Sequence, residues 1–115
     1  MIVKKDARAK TLRPKLKDGE GIINIFDLAT KETLPKNLRL LGEFVLKPGE
    51  SIGTHGHENE TEIYFVIAGE GSVLDNGEFV KIYPGDTAIT DGISPHSIKN
   101  DGYEELRFIA IIVLD

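Results

Sequence analysis

Apolar positions along this chain come in short runs, most of them alternating with polar ones, and the runs are broken by glycine, proline and asparagine. Alternation with a period of two is the pattern of a half-buried β-strand, and no stretch sustains the 3.6-residue period of a capped helix. Ile2 and Val3 begin a short strand, followed by a polar loop, RPKLKDGEG, closed by Gly19 and Gly21. GIINIFDL is the first well-formed strand. The polar connection ATKETLPKN leads into LRLLGEFVL, which stops at the proline-glycine turn KPGE. Within that run Leu38, Leu40, Phe44 and Leu46 share one face, with Arg39, Leu41, Glu43 and Val45 on the other. Gly42, in mid-strand, predicts a bulge or a close backbone approach of the kind that bends a small barrel strand.

The second half continues in the same way. EIYFVIAG is a β-branched and aromatic run, and Asn76-Gly77 between two alternating segments is the clearest hairpin signal in the chain. Tyr83-Pro84-Gly85-Asp86 reads as a tight turn, TAIT as a short strand, DGISP as a loop and HSIKN as a strand ending at the Asp101-Gly102 turn. ELRFIAIIVL is apolar on both faces, which predicts burial in its own core and against a further layer. About eight or nine strands with a turn every eight to twelve residues or so predict an all-β sandwich or barrel.

With 115 residues the chain is expected to be one domain. It has no cysteine, so a disulfide framework and a thiolate metal site are both excluded, and any metal must be held by imidazole and carboxylate. No run approaches the roughly 18 apolar residues of a membrane span, and the expectation is a soluble, cytoplasmic protein with no membrane partner. The net charge of −5 is unevenly placed: residues 1–17 hold seven Lys or Arg against Asp6 alone. That segment lacks aromatic residues for base stacking and adjoins an acidic body, so it reads as a solvated arm drawn to that body or to a partner subunit, not as a nucleic-acid contact.

The densest chemistry lies in GESIGTHGHENETEIYFVIAG, residues 49–69. His55 and His57 are two apart, so on an extended strand both imidazoles face the same way and can converge on one cation. Of the glutamates that follow, Glu58 and Glu60 flank Asn59 in a turn-like stretch, whereas Glu62 opens a buried strand. Its separation from His57 is odd, and joining the histidines therefore requires a turn or bulge at Glu58–Thr61.

Gly49, His55, His57, Glu62 and Gly69 at these spacings resemble the first motif of the cupin superfamily. Gly85, His96 and Asn100 resemble the second, with departures between them: Asp91 and Ile93 stand where the family has proline and glycine, Gly92 is displaced by one, and Pro95 directly precedes His96. All three histidines of the chain fall on ligand positions of these motifs. The resemblance implies a cupin jelly-roll barrel, or double-stranded β-helix, over residues 22–115, with residues 1–21 as a basic N-terminal arm that contributes to a dimer interface. It implies one divalent metal on His55, His57, Glu62 and His96, with Mn favoured and Fe, Zn, Ni, Cu or Co compatible with the same donors. Octahedral coordination by four protein groups would leave two positions for a small carboxylate ligand.

Among single-domain microbial cupins the chain is similar to oxalate decarboxylase-like proteins, and a metal-dependent enzyme acting on a small carboxylate is the first expectation. The acid-bearing lid of the two-domain oxalate decarboxylases has no match here. A metal-dependent dioxygenase uses the same ligands equally well, and a non-catalytic metabolite-binding barrel is the alternative from a different class. A sugar isomerase fits the fold but lacks an evident acid–base pair. Tyr64 shares the face of Glu62 and is placed at the substrate pocket, against the plainer reading of a core tyrosine. Arg39 is a pocket candidate for an anion, against that of a solvated arginine on an edge strand. Asn100 is assigned to turn chemistry before Asp101-Gly102. The apolar final strand, with the arm beside it, predicts a homodimer.

Overall fold

In the computed structural model, which describes residues 1–56 and 58–115, the alternating runs become ten strands. They are β1 (Lys10–Pro14), β2 (Ile22–Asp27), β3 (Leu38–Leu46), β4 (Ser51–His55), β5 (Glu60–Ala68), β6 (Gly71–Asp75), β7 (Glu78–Ile82), β8 (Thr87–Thr90), β9 (His96–Lys99) and β10 (Leu106–Leu114). Helical structure among the described residues is confined to two 3-10 turns, Lys5–Ala7 and Leu16–Asp18. The strands form two antiparallel sheets, ordered β1-β2-β3-β10-β5-β8 and β4-β9-β6-β7. This is the two-sheet layout of a jelly roll, in which the inward residues of both sheets make a shared core.

β10 is central in the larger sheet, where Phe108 lies opposite Phe44 of β3 and Val66 of β5, and Ala110 opposite Gly42 and Tyr64. Its even-numbered residues from Leu106 to Ile112 are buried; the odd-numbered ones face outward and are half-buried. Ile23, Ile25, Phe44, Leu46, Tyr64, Val66 and Phe108 from the larger sheet meet Ile52, Val73, Ile82 and Ile98 from the smaller. Phe108 stacks on Phe44 at 5.4 Å and tilts against Tyr64 at 4.8 Å between ring centroids, an arrangement that adds to simple area burial.

Turn chemistry matches the sequence closely. Asn76 and Gly77 take φ of 50° and 80°, the pair of left-handed residues that a two-residue type I′ hairpin demands. At Tyr83-Pro84-Gly85-Asp86 the Asp86 amide donates to the Tyr83 carbonyl at 2.9 Å, while the Asp86 carboxylate accepts from the Tyr83 amide at 2.8 Å.

Three local expectations are corrected. Ile2 and Val3 lie outside any strand, and the first strand is instead Lys10–Pro14. All five of its residues are exposed, so it carries no apolar alternation; it exists because its backbone pairs with β2, from Lys10 opposite Phe26 to Pro14 opposite Ile22. Gly42 carries no bulge. It stays in register with Ala110 and Asp27, and the irregularities of β10 fall elsewhere, at Ile112/Val113 and Arg107/Phe108. A side chain at Gly42 would begin 3.4 Å from the Ile25 methyl and the Phe26 carbonyl, so the close approach is present without the bulge. Arg39, finally, is on β3, an interior strand of its sheet.

Arg8 ties the segment before β1 to the larger sheet. Arg8 and Arg107 both donate to the Glu43 carboxylate, at 2.7 and 3.1 Å, and the Arg8 guanidinium lies 4.9 Å from the centre of the Phe26 ring. Burial alone would raise the Glu43 pKa, but the two guanidinium hydrogen bonds and their charges outweigh it and hold the carboxyl below its ordinary value. No helix among the described residues is long and apolar enough to cross a membrane.

Candidate metal centre

β4 and β9 are antiparallel neighbours in the smaller sheet, and His55 lies directly opposite His96 in their register. Cross-strand partners project from the same face, which brings the two rings to 4.2 Å between centroids. Glu62 comes from the facing sheet. It sits on β5 between Ile112 of β10 and Thr90 of β8, and its carboxylate points inward toward the histidines. His96 Nε2 is 2.6 Å and His55 Nε2 3.5 Å from the same oxygen, Glu62 Oε1, and one ligand atom from each residue lies within 4.8 Å of the others. Glu62 and His96 are 5% and 1% exposed, so this polar cluster is inside the protein.

The odd spacing that joined His57 to Glu62 is resolved by a turn. The chain turns at Glu58–Asn59, with Asn59 at φ 60°, and passes from the smaller sheet to the larger, so His55 and Glu62 lie on different strands. His57, the second histidine of the pair, lies outside the described residues.

The donor chemistry fits a cation. His55 Nδ1 is 2.7 Å from the Gly53 carbonyl oxygen, which only accepts, so Nδ1 carries a proton. Neutral imidazole then has a lone pair on Nε2, aimed at a carboxylate oxygen that is also rich in electrons. At 3.5 Å His55 Nε2 and the Glu62 oxygen face each other as two electron-rich atoms, an approach that a positive ion among the donors makes favourable. An outer hydrogen bond from Nδ1 to a backbone carbonyl, fixing the tautomer and turning Nε2 inward, is the usual support of a metal-binding histidine.

Desolvation by burial acts to raise the Glu62 pKa, but hydrogen bonds and charge from His55 and His96 dominate, and it is lowered to about 2. The Glu62 carboxyl is therefore ionised over the whole physiological range. Tyr64 donates its hydroxyl to the same Glu62 oxygen at 3.2 Å. Its own pKa is raised well above the ordinary tyrosine value, by complete burial and then by the Glu62 charge.

His55, Glu62 and Tyr64 form the buried end of a cavity of about 200 Å³. Tyr64 is 3% exposed within the core cluster, as the plainer reading has it, and it also lines this cavity. Arg39 also lines the cavity, but its guanidinium is engaged with Glu60, through Nε and through Nη2 at 3.1 Å. Sequence reasoning missed Arg13 and Lys17, which stand at the same opening. Both are exposed and lie in a polar segment without periodicity, so only the excess positive charge of that segment hinted at a role. Asn100 is structural: its side-chain amide donates to the Leu46 and Glu104 carbonyls at 2.8 Å, and its oxygen accepts from the Gly102 amide at 2.9 Å.

Comparison with known proteins agrees with this fold. The family described as cupin domain matches residues 42–112. The oxalate-binding protein of Thermotoga maritima is 41% identical over 99 residues, which span 86% of this chain and 82% of that protein. The crystal structure of a predicted oxalate decarboxylase from Thermotoga maritima superposes with a TM-score of 0.94 at 37% identity, covering 100% of both chains. KdgF from Halomonas sp. shares the fold at a TM-score of 0.81 with 16% identity, covering 100% of this chain and 94% of that one.

Proposed function

Since this chain belongs to the cupin family, we propose that it binds a small carboxylate, oxalate being the reference ligand, at one divalent metal held by His55, His57, Glu62 and His96. The observation that carries the reading is the convergence of the His55 and His96 Nε2 atoms on the ionised Glu62 carboxylate at the floor of a small cavity. His57 joins the set through its spacing to His55 and the family resemblance. When bound, the cation supplies the positive charge that holds and polarises carboxylate oxygens. Manganese is favoured on the resemblance to oxalate decarboxylase-like proteins, while the imidazole and carboxylate set by itself admits Fe, Zn, Ni, Cu and Co as well. A relative described as oxalate-binding supports the ligand class. The cavity supports it too, because about 200 Å³ is below the ~300–1,000 Å³ of pockets for drug-sized molecules.

Turnover is the second reading, as an oxalate decarboxylase-like enzyme or a dioxygenase. Decarboxylation needs a proton delivered to the carbon that loses carbon dioxide. Glu62 is ionised at neutral pH and the Tyr64 proton is firmly held, so neither is poised near the working pH where acid–base catalysis is efficient. Binding, which needs neither a proton donor nor a second reactant, is the function we assign. Calorimetry of oxalate against metal-loaded and metal-free protein is expected to show binding only in the loaded sample, and equal affinity in both would place the ligand elsewhere. Formate or carbon dioxide release, or dioxygen uptake, from the loaded sample would establish the enzyme reading.

We also assign a homodimer, formed through the outer face of the six-stranded sheet. Phe65, Ile67 and Ile89 are 42%, 42% and 67% exposed there, beside half-buried Ile63, Ile109 and Ile111. A contiguous apolar sheet face of this kind marks an interaction surface. Sedimentation is expected to give a dimer at micromolar concentration, and the Phe65→Lys, Ile89→Lys double variant a folded monomer. A monomeric wild type would refute the assignment.

A further inference from the structure

We propose that Arg13 and Lys17, at the mouth of the cavity, grip the far carboxylate of a dicarboxylic acid, so that the preferred ligand is a dianion longer than oxalate with an apolar middle. This rests on the carboxylate-binding reading above and names the ligand class of that site.

The cavity is graded in both burial and chemistry. Its floor is His55, Glu62 and Tyr64; its wall includes the buried apolar residues Ile25, Phe44 and Ile52; its exposed rim carries Arg13, Lys17 and Arg39. A ligand as short as oxalate, held at the floor, leaves the apolar wall and the cationic rim without a role. A carboxylate head at the floor, a short hydrocarbon body along the wall and a second carboxylate at the rim would use all three.

The rim cations differ in their commitments. Arg39 is paired with Glu60, while Arg8 shares Glu43 with Arg107, which also pairs with Glu105. Among the described residues neither Arg13 nor Lys17 has a carboxylate within ion-pair distance. Two uncommitted cations over an apolar wall form a focused positive potential, and a guanidinium can take a carboxylate with two parallel hydrogen bonds.

Backbone strain points to the same segment. Lys15, Lys17 and Asp18 have φ of 47°, 54° and 64°, the left-handed region that side-chain-bearing residues avoid. Such strain persists where the surroundings over-determine it, and it concentrates at ligand clamps. Here the constraint is visible. A Cβ built on Gly53 would overlap the Lys17 carbonyl oxygen, and one on Gly19 would overlap that of Ser51, so the turn is seated backbone to backbone on β4. The Lys15 amide donates to the Gly21 carbonyl at 2.8 Å and the Ser51 amide to that of Glu20 at 3.0 Å, closing the loop over the same strand. Gly53 is also the residue whose carbonyl orients His55. Gly53 thus touches both features, the Lys17 turn through its close backbone packing and the His55 imidazole through its carbonyl.

The test compares two acids with the same 2-hydroxy acid head and the same number of carbons, 2-hydroxyglutarate and 2-hydroxypentanoate, by calorimetry on metal-loaded protein. The dianion is expected to bind about tenfold tighter or more, the scale of a charge-assisted hydrogen bond. In the Arg13→Gln, Lys17→Gln double variant this preference should fall to within about twofold, with unchanged metal content, because the dianion loses more affinity than the monoanion. Glutamine keeps the same backbone demand at Lys17, so the variant removes charge without altering the turn. Absence of a preference in the wild type, or its survival in the double variant, would overturn the proposal while leaving oxalate binding intact. Failure of oxalate and both hydroxy acids to bind would overturn the carboxylate reading itself.

Discussion

Replacing His96 by alanine is expected to strip the metal centre. The imidazole is 1% exposed, and its Nε2 lies 2.6 Å from the Glu62 oxygen, so water cannot readily substitute for it as a ligand. Altering an outer-shell partner alone typically costs 10–100-fold in metal affinity, and loss of a direct ligand should exceed ~100-fold. Elemental analysis after dialysis is the measurement, with one equivalent expected in the wild type and a small fraction in the variant. Glu62→Gln, which keeps the size and the Tyr64 contact but removes the charge, should lose the metal as well. Full occupancy in both variants would refute the site. The loss should also be visible in stability, since a ligand present at a thousand times its dissociation constant contributes ~4 kcal/mol to the folded state. Chelator should therefore lower the wild-type melting temperature and leave that of His96→Ala unmoved.

The Phe108→Ala variant should show the largest loss of stability that does not involve the metal. Phe108 is fully buried at the centre of β10, and its ring meets Phe44 at 5.4 Å and Tyr64 at 4.8 Å. Large-to-small changes of this type cost ~3–5 kcal/mol, because transfer energy is lost and the cavity closes only in part. That is a large share of the ~5–15 kcal/mol that keeps a typical domain folded. The effect should extend to the floor of the cavity: Tyr64 rests on this ring and donates to Glu62, so metal affinity should weaken along with stability. Chemical denaturation with and without metal measures both. A change below about 1 kcal/mol would mean that the core relaxes around the gap far better than its packing suggests.

The sequence by itself determined the all-β class, the hairpin at Asn76-Gly77, the tight turn at Tyr83–Asp86 and strands such as Leu38–Leu46. These are local matters: a period of two along a half-buried strand, and turn residues whose backbone preferences act over a few bonds. It also singled out His55, Glu62 and His96, because so few residue types bind a metal without thiolates and their spacing resembled a known pattern. Spacing did not show how they meet. His55 and His96 become neighbours because β4 and β9 pair, and Glu62 reaches them because the turn at Glu58–Asn59 carries the chain into the opposite sheet. The polar strand Lys10–Pro14 left no periodic trace, since neither of its faces is buried and only the ladder to β2 creates it. For the same reason Arg13 and Lys17 looked like ordinary charges on a solvated arm. Their place at the mouth of the cavity comes from the close seating of the Lys15–Asp18 turn on β4, a contact between backbones distant in sequence. Only the folded chain decides such contacts, because they depend on which segments pack together and not on what either segment prefers alone.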